Sequence, residues 1–335
     1  MEKPAGPSTE RRDPQAVRYR RVMVPLDGTE VAESALRPAA ALAARAGASL
    51  HLVCVVEGTP DEVRAVSMQP MTPEGVGPGP QRARDRAMLL EDAARRVRDE
   101  WGCATAWELI ADASPARALV AHAKELGADL VAAVSRTRGW IARGLLGSTA
   151  RELVRAEAFP VLLIPAEDAD GPPEAGPMQG PVETVAVALG PEMDLHDLVL
   201  AHALAWADLW DARIALGQVV VTVPVPAAGA EGTVPVALPP NLLLEPMSFE
   251  AAQRQLESVS AALSERRSRV EAHLLEGPDV ADTLLEFVDS TDADILIVGR
   301  HHRNLWERLF GASESDRIAR RIRSAGLLVC HERSA

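Results

Sequence analysis

The chain is written twice. RRVMVPLDGTE (20–30) and ETVAVALGPE (183–192) are both short β-branched runs that lead through turn residues into a helical pattern. GADLVAAVSR (127–136) is answered by DADILIVGRH (292–301), with Ala128-Asp129 matched by Ala293-Asp294. Val24 stands 163 residues before Val187, and Asp129 stands 165 before Asp294. An offset this constant along two halves is the mark of a duplicated domain. The 335 residues suit two units of about 150 each.

The duplicated unit alternates strands and helices. In the first half, strands are expected near 21–26, 49–56, 105–110, 129–134 and 160–164, with helices near 30–46, 81–101, 115–126 and 148–158. The second half gives strands near 184–189, 213–220, 270–275, 294–298 and 326–330. Runs such as LVCVV and ILIV are apolar without alternation, as expected where helices cover both faces of a parallel sheet. The fold class is therefore α/β: two tandem domains, each a five-stranded, parallel, doubly wound sheet with right-handed crossovers. The domains are expected over 19–166 and 182–333, with a Pro- and Gly-rich linker at 167–181 and a disordered tail at 1–18. Two more Pro- and Gly-rich segments, 57–80 and 221–247, take the same place in each half. Pro38 falls inside the first predicted helix, where it should kink the helix or delay its start.

Charge narrows the partners. With 35 basic and 48 acidic residues the net charge is −13, which argues against nucleic acid or an anionic membrane as the main partner. The first eighteen residues hold no apolar core of a signal peptide. The longest uncharged run, 214–230, is broken by Gly217, Pro224 and Pro226 and is too short for a membrane span. Cys54, Cys103 and Cys330 show no metal-ligand spacing and cannot all pair, which fits a reducing, cytoplasmic setting.

One segment points to chemistry. SRTRGWIARGLLGSTARELV (135–154) leaves the fourth strand at its carboxyl end, where open α/β sheets bind ligands. Ser148 or Thr149 is placed to cap the next helix, and Thr149 with Glu152 has capping-box spacing. A helix start of this kind offers free backbone N–H groups and a positive dipole end to an anion. Gly147 lets the backbone approach a ligand closely.

Both halves resemble the universal stress protein family in its tandem form, with a Rossmann-like, adenine nucleotide alpha hydrolase-like fold. The family signature after the fourth strand is Gly, two residues, Gly, nine residues, then Gly-Ser or Gly-Thr. In nucleotide-binding members this backbone cradles ATP, an aspartate ending the first strand lines the pocket, and a valine on the second strand packs near the adenine. The resemblance carries these roles to Asp27, Val55, Gly147 and Ser148, with Thr149 beside them. Val134 and Thr137 stand where the two glycines belong, and Ala150 replaces a frequent hydroxyl residue. A β-branched side chain resists a positive φ, so each replacement should cost on the order of 1 kcal/mol. Together they should weaken binding more than tenfold, at about 1.4 kcal/mol per decade. Restoring glycine at both should tighten it. The cofactor implied is ATP with Mg²⁺, held weakly or not at all in the first half. In the second half Gly190 replaces the aspartate, His302 replaces a glycine, and Gly311-Ala312 comes one residue early. That site should be disabled, although Val219 matches the adenine-side valine.

Family members commonly pair through their fifth strands, here Val161–Ile164 and Leu327–Cys330. The domains are thus expected to pack as an internal pseudo-dimer of two separate sheets, against which one continuous sheet would count; a homodimer is a further implication. Other chemistry finds little support. The only lysines, Lys3 and Lys124, exclude a Walker loop. Neither a nucleophile elbow nor an HExxH motif occurs. His301-His302 with Glu307 lack a third metal ligand at helical spacing and read as solvated loop residues. His122 and His202 read as surface or boundary histidines, and Cys54 and Cys330 as small apolar core residues. Arg136, Arg138 and Arg143 read as surface charges, while Trp140 and Trp306 should pack the loops onto the sheet. Three functional readings stay open: a stress-response ligand sensor or adaptor, a low-activity ATPase or nucleotide-dependent enzyme on the first-half site, and a structural interaction module that binds no ligand.

Overall fold

The computed structural model describes residues 17–61, 63, 78–135, 147–165, 178, 180–190, 194–222, 248–299 and 325–331. The first half runs β1 (Arg21–Pro25), α1 (Glu30–Glu33), α2 (Leu36–Ala46), β2 (Ser49–Val56), α3 (Pro78–Trp101), β3 (Thr105–Ala111), α4 (Pro115–Leu126), β4 (Leu130–Val134), α5 (Ser148–Arg155) and β5 (Val161–Ile164). The second runs β6 (Thr184–Leu189), α6 (Asp194–Trp210), β7 (Arg213–Val221), α7 (Phe249–Ser264), β8 (Val270–Gly277), α8 (Val280–Ser290), β9 (Ile295–Gly299) and β10 (Gly326–Cys330). Pro38 delays the helix as expected: the chain breaks at Ser34 and Ala35, and the proline takes the third position of α2. There its missing N–H has no helical acceptor to lose.

The strand order is β3-β2-β1-β4-β5-β10-β9-β6-β7-β8, and each half alone is parallel throughout. The expectation of two separate sheets is corrected. β5 and β10 pair antiparallel, Leu163 with Leu327, Leu162 with Leu328 and Val161 with Val329, so a single ten-stranded sheet crosses the molecule. The pairing strands are the expected ones. Backbone hydrogen bonding at their edges, rather than side-chain packing alone, joins the domains, since an apolar edge left open would expose unpaired N–H and C=O groups.

One face of the sheet packs against α2, α3, α6 and α7, the other against α4, α5 and α8. The repeated aspartates have a structural role at the amino ends of the strands. Asp129 Oδ2 accepts from the N–H groups of Arg20 and Arg21 (2.8 and 2.9 Å), and Asp294 Oδ2 accepts from those of Glu183 and Thr184 (2.7 and 2.9 Å). Each tethers the start of its fourth strand to its first.

A polar bridge joins the halves beneath the sheet. The Tyr19 hydroxyl accepts from Trp206 Nε1 (3.0 Å) and shares a hydrogen bond with His202 Nδ1 (2.7 Å). Trp210 stacks on Trp206 at 4.9 Å, and the Arg45 guanidinium lies 5.4 Å from the Trp210 ring centre. His202 is thus a buried core residue at a domain junction, not a surface one as its amphipathic spacing suggests. Burial pushes the Tyr19 hydroxyl well above its usual pKa, so the phenol keeps its proton.

His122 behaves as expected, at a boundary 3.6 Å from Glu108. Its neighbour His51 has its pKa lowered, first by burial, then by His122 and Arg21, with Glu108 opposing. A folded-state pKa below the unfolded value near 6.5 means that the unfolded chain binds more protons. The contribution is present above about pH 6.5 and is lost as pH falls through the lowered folded pKa. Urea unfolding across this window should show stability declining toward acid, with a shallower decline in His51→Gln.

Candidate functional site

The carboxyl ends of β1, β2 and β4 lie side by side, because β1 pairs with both of the others. They bring Asp27, Val55 and Val134 to one edge of the sheet. After β1 the chain turns through Asp27 and Gly28 into Thr29, whose side chain caps α1 by accepting from Ala32 N–H. Asp27 is exposed, and its Oδ1 accepts from the Thr29 N–H (3.0 Å) and hydroxyl (2.6 Å). One carboxylate oxygen therefore orders the turn.

Val55 is half-buried and pairs with Ile110. Val134 ends β4, pairs with Ile164 and packs on the α2–α3 side of the core. Its φ is not positive, so the backbone strain expected there is absent. A glycine at 134 would remove strand packing and relieve nothing. Thr137 lies outside the described residues, as do Arg136, Arg138, Trp140, Arg143, His301, His302, Trp306, Glu307 and Gly311-Ala312.

The start of α5 also departs from expectation. The N-cap is Gly147, with φ −54° and ψ 145°, and no side chain caps the helix. Ser148 and Thr149 occupy its first two positions, so neither caps and no capping box forms. The cause lies one residue earlier: Gly147 N–H donates to Ser135 O (3.0 Å), tying the helix start to the end of β4 and fixing where the helix begins. The first-turn N–H groups of Ser148 and Thr149 have no partner within the helix and face an anion-favouring dipole end. Among the described residues, a Cβ on Gly147 would meet Ser135 O at 3.8 Å, an ordinary contact.

A shallow, open cleft lies beside Asp27, lined by Leu26, Gly28, Glu33 and Cys54 and by Arg86, Leu89 and Leu90 of α3. Gly28 has φ +75°, and a Cβ there would stand 1.4 Å from Arg86 Nη1. The turn's positive φ requires glycine, and the guanidinium takes the space its missing Cβ leaves. Glu33 accepts from Arg96 Nη2 at 2.7 Å, the main cause of the raised Arg96 pKa. Cys54 is buried, which pushes its thiol up to about 11; Arg86 lowers it and Asp27 raises it further. At neutral pH it is a protonated, apolar wall and not a nucleophile. No motif marks Glu33 or Arg86 in the sequence, because a helix beyond a Pro- and Gly-rich segment brings Arg86 to a turn remote in the chain.

The second half fills the equivalent place. Strand register aligns Pro25–Val53 with Ala188–Gly217, which places Gln218 where the first half has Cys54. The offset of 163 that relates Val24 to Val187 also takes Glu33 to His196. His196 Nε2 bonds Gly190 O (2.9 Å), Gln255 Nε2 lies 3.3 Å from His196 Nε2, and Gln218 Nε2 donates to Gln255 Oε1 (3.0 Å). His196 and Gln218 are both buried. A closed network therefore occupies the space beyond β6. No cluster of metal-ligating side chains occurs among the described residues, and none of their helices is long and apolar enough to cross a membrane.

The family model described as the universal stress protein family matches residues 18–165 and again 182–329. The chain belongs to the universal stress protein family. Solved structures agree at the level of fold. A universal stress protein from Archaeoglobus fulgidus DSM 4304 is 14% identical with a TM-score of 0.63, over 96% of this chain and 99% of that one. A functionally unknown protein from Pseudomonas aeruginosa PAO1 is 16% identical with a TM-score of 0.56, over 95% and 93%. No curated protein matches the sequence significantly. Within this universal stress protein the two domains are thus alike in fold and unlike at their carboxyl edges.

Proposed function

We propose that this universal stress protein is a ligand sensor or adaptor whose first-half crevice holds an adenine nucleotide weakly, while the second half holds none. The observation that carries this reading is the asymmetry of the two edges. The first keeps Asp27, a cleft, and the N–H groups of Ser148 and Thr149 at a helix start. The second closes the same region with His196, Gln218 and Gln255. The site residues of the reading are Asp27, Val55, Val134, Thr137, Gly147, Ser148 and Thr149, with Mg²⁺ accompanying ATP. Asp27 and the α5 amides fit such a ligand in charge: donors and a dipole end for phosphate, a carboxylate for hydroxyl groups or a cation. Domain boundaries at 19–166 and 182–333 and a cytoplasmic location accompany the proposal.

A nucleotide that is held and not consumed suits a sensor. Turnover would need a positioned base, and Cys54 is protonated while Asp27 is engaged by Thr29. Purified protein given ATP and Mg²⁺ should release phosphate no faster than the Asp27→Ala variant. Release that Asp27→Ala abolishes would replace this reading with the ATPase.

A further inference from the structure

The cleft over Gly28 contains a cation, Arg86, that forms no ion pair with the described residues. Arg86 reaches from α3 to the β1–α1 turn, where its guanidinium occupies the space a side chain at position 28 would take. Glu33 lines the same cleft, yet its carboxylate is held by Arg96. Asp27 adjoins Gly28, yet its Oδ1 is held by the Thr29 N–H and hydroxyl. Among the described residues no carboxylate forms an ion pair with Arg86. The rest of the lining, Leu26, Cys54, Leu89 and Leu90, offers no strong acceptor. A half-buried guanidinium among apolar walls is poorly solvated and gains most from a planar oxyanion that takes two of its N–H groups at once.

We propose that Arg86 is an oxyanion-binding residue, and that the cleft over Gly28 takes a compact phosphate or carboxylate group whose attached carbon skeleton lies on Leu26, Leu89 and Leu90. Gly28 serves this site by omitting a Cβ, which lets the guanidinium rest on the turn. Among the described residues the second half has no such site, because His196 bonds Gly190 O and Gln218 donates to Gln255 in the corresponding space. Among the described residues the site occurs once. The proposal deepens the nucleotide reading, since the cleft adjoins the same crevice, but the two fail separately.

Thermal unfolding of the full chain, followed by circular dichroism, tests it with inorganic pyrophosphate and malonate as probes. Wild type and Gly147→Val should both gain a higher midpoint with at least one probe. The concentration needed should rise at least tenfold in Arg86→Gln, which keeps the stem and removes the charge. Arg86→Lys should fall between, because a point charge replaces a two-pronged donor. A response to pyrophosphate alone assigns a phosphate, and a response to malonate alone assigns a carboxylate. No response in wild type, an undiminished response in Arg86→Gln, or loss of the response in Gly147→Val would overturn the proposal. The last of these would place the anion at the start of α5. ATP run in parallel separates the readings: a response to pyrophosphate with none to ATP sinks only the nucleotide.

Discussion

Trp206→Ala is expected to lower the stability of the protein by about 3–5 kcal/mol, the range for truncating a buried tryptophan. Trp206 has no exposed surface and is the largest such side chain in the core. Its ring carries the stack on Trp210, and its Nε1–H is a donor to Tyr19. Tyr19 stands before β1 in the first half, whereas Trp206 lies on α6 of the second, so the cavity opens at the junction of the domains. Chemical unfolding should show both halves weakened together in one transition. A loss under about 1 kcal/mol, far below the range for a buried aromatic, would mean that α6 does not pack there.

Leu328→Asp should be more severe still. Leu328 is fully buried at the centre of β10 and faces its cross-strand partner Leu162 of β5 across the join. A carboxylate there enters the apolar core, a cost of several kcal/mol whether it stays charged or takes up a proton. Domain stabilities are about 5–15 kcal/mol, so this one change should leave little folded protein at neutral pH. Partial recovery near pH 4, where the carboxyl is protonated, would show that charge rather than shape is at fault. A native-like wild-type midpoint for Leu328→Asp would refute the continuous sheet.

Much of this fold is legible in the sequence, because local pattern and final structure agree. Ser49–Val56 and Pro115–Leu126 form the strand and helix that their periodicity indicates, and the near-constant offset announces two copies of one unit. What escapes is long-range. Val161–Ile164 and Gly326–Cys330 read as core strands, yet nothing in four or five apolar residues says that their outer edges meet. His202 sits at a polar-looking position on α6, and only the approach of Tyr19 makes that face an interior. Ser148 and Thr149 have the chemistry of caps, yet the bond from Gly147 to Ser135 starts the helix before either could serve. The placement of Asp27, Val55 and Val134 at one sheet edge is legible because it follows strand ends. What depends on contacts across the chain is hidden, as with Arg86 on Gly28 and Gln255 on His196.

The central claim is that one of two copies of the site remains usable. Calorimetric titration of the full chain with ATP and Mg²⁺ tests it most directly, with Gly147→Val as the companion variant, since a Cβ at that position makes only an ordinary contact with the described residues. The account predicts one nucleotide per chain, bound more weakly than micromolar, which is less than about 8 kcal/mol, and lost in Gly147→Val. Two nucleotides per chain, or micromolar binding that survives Gly147→Val, would contradict it.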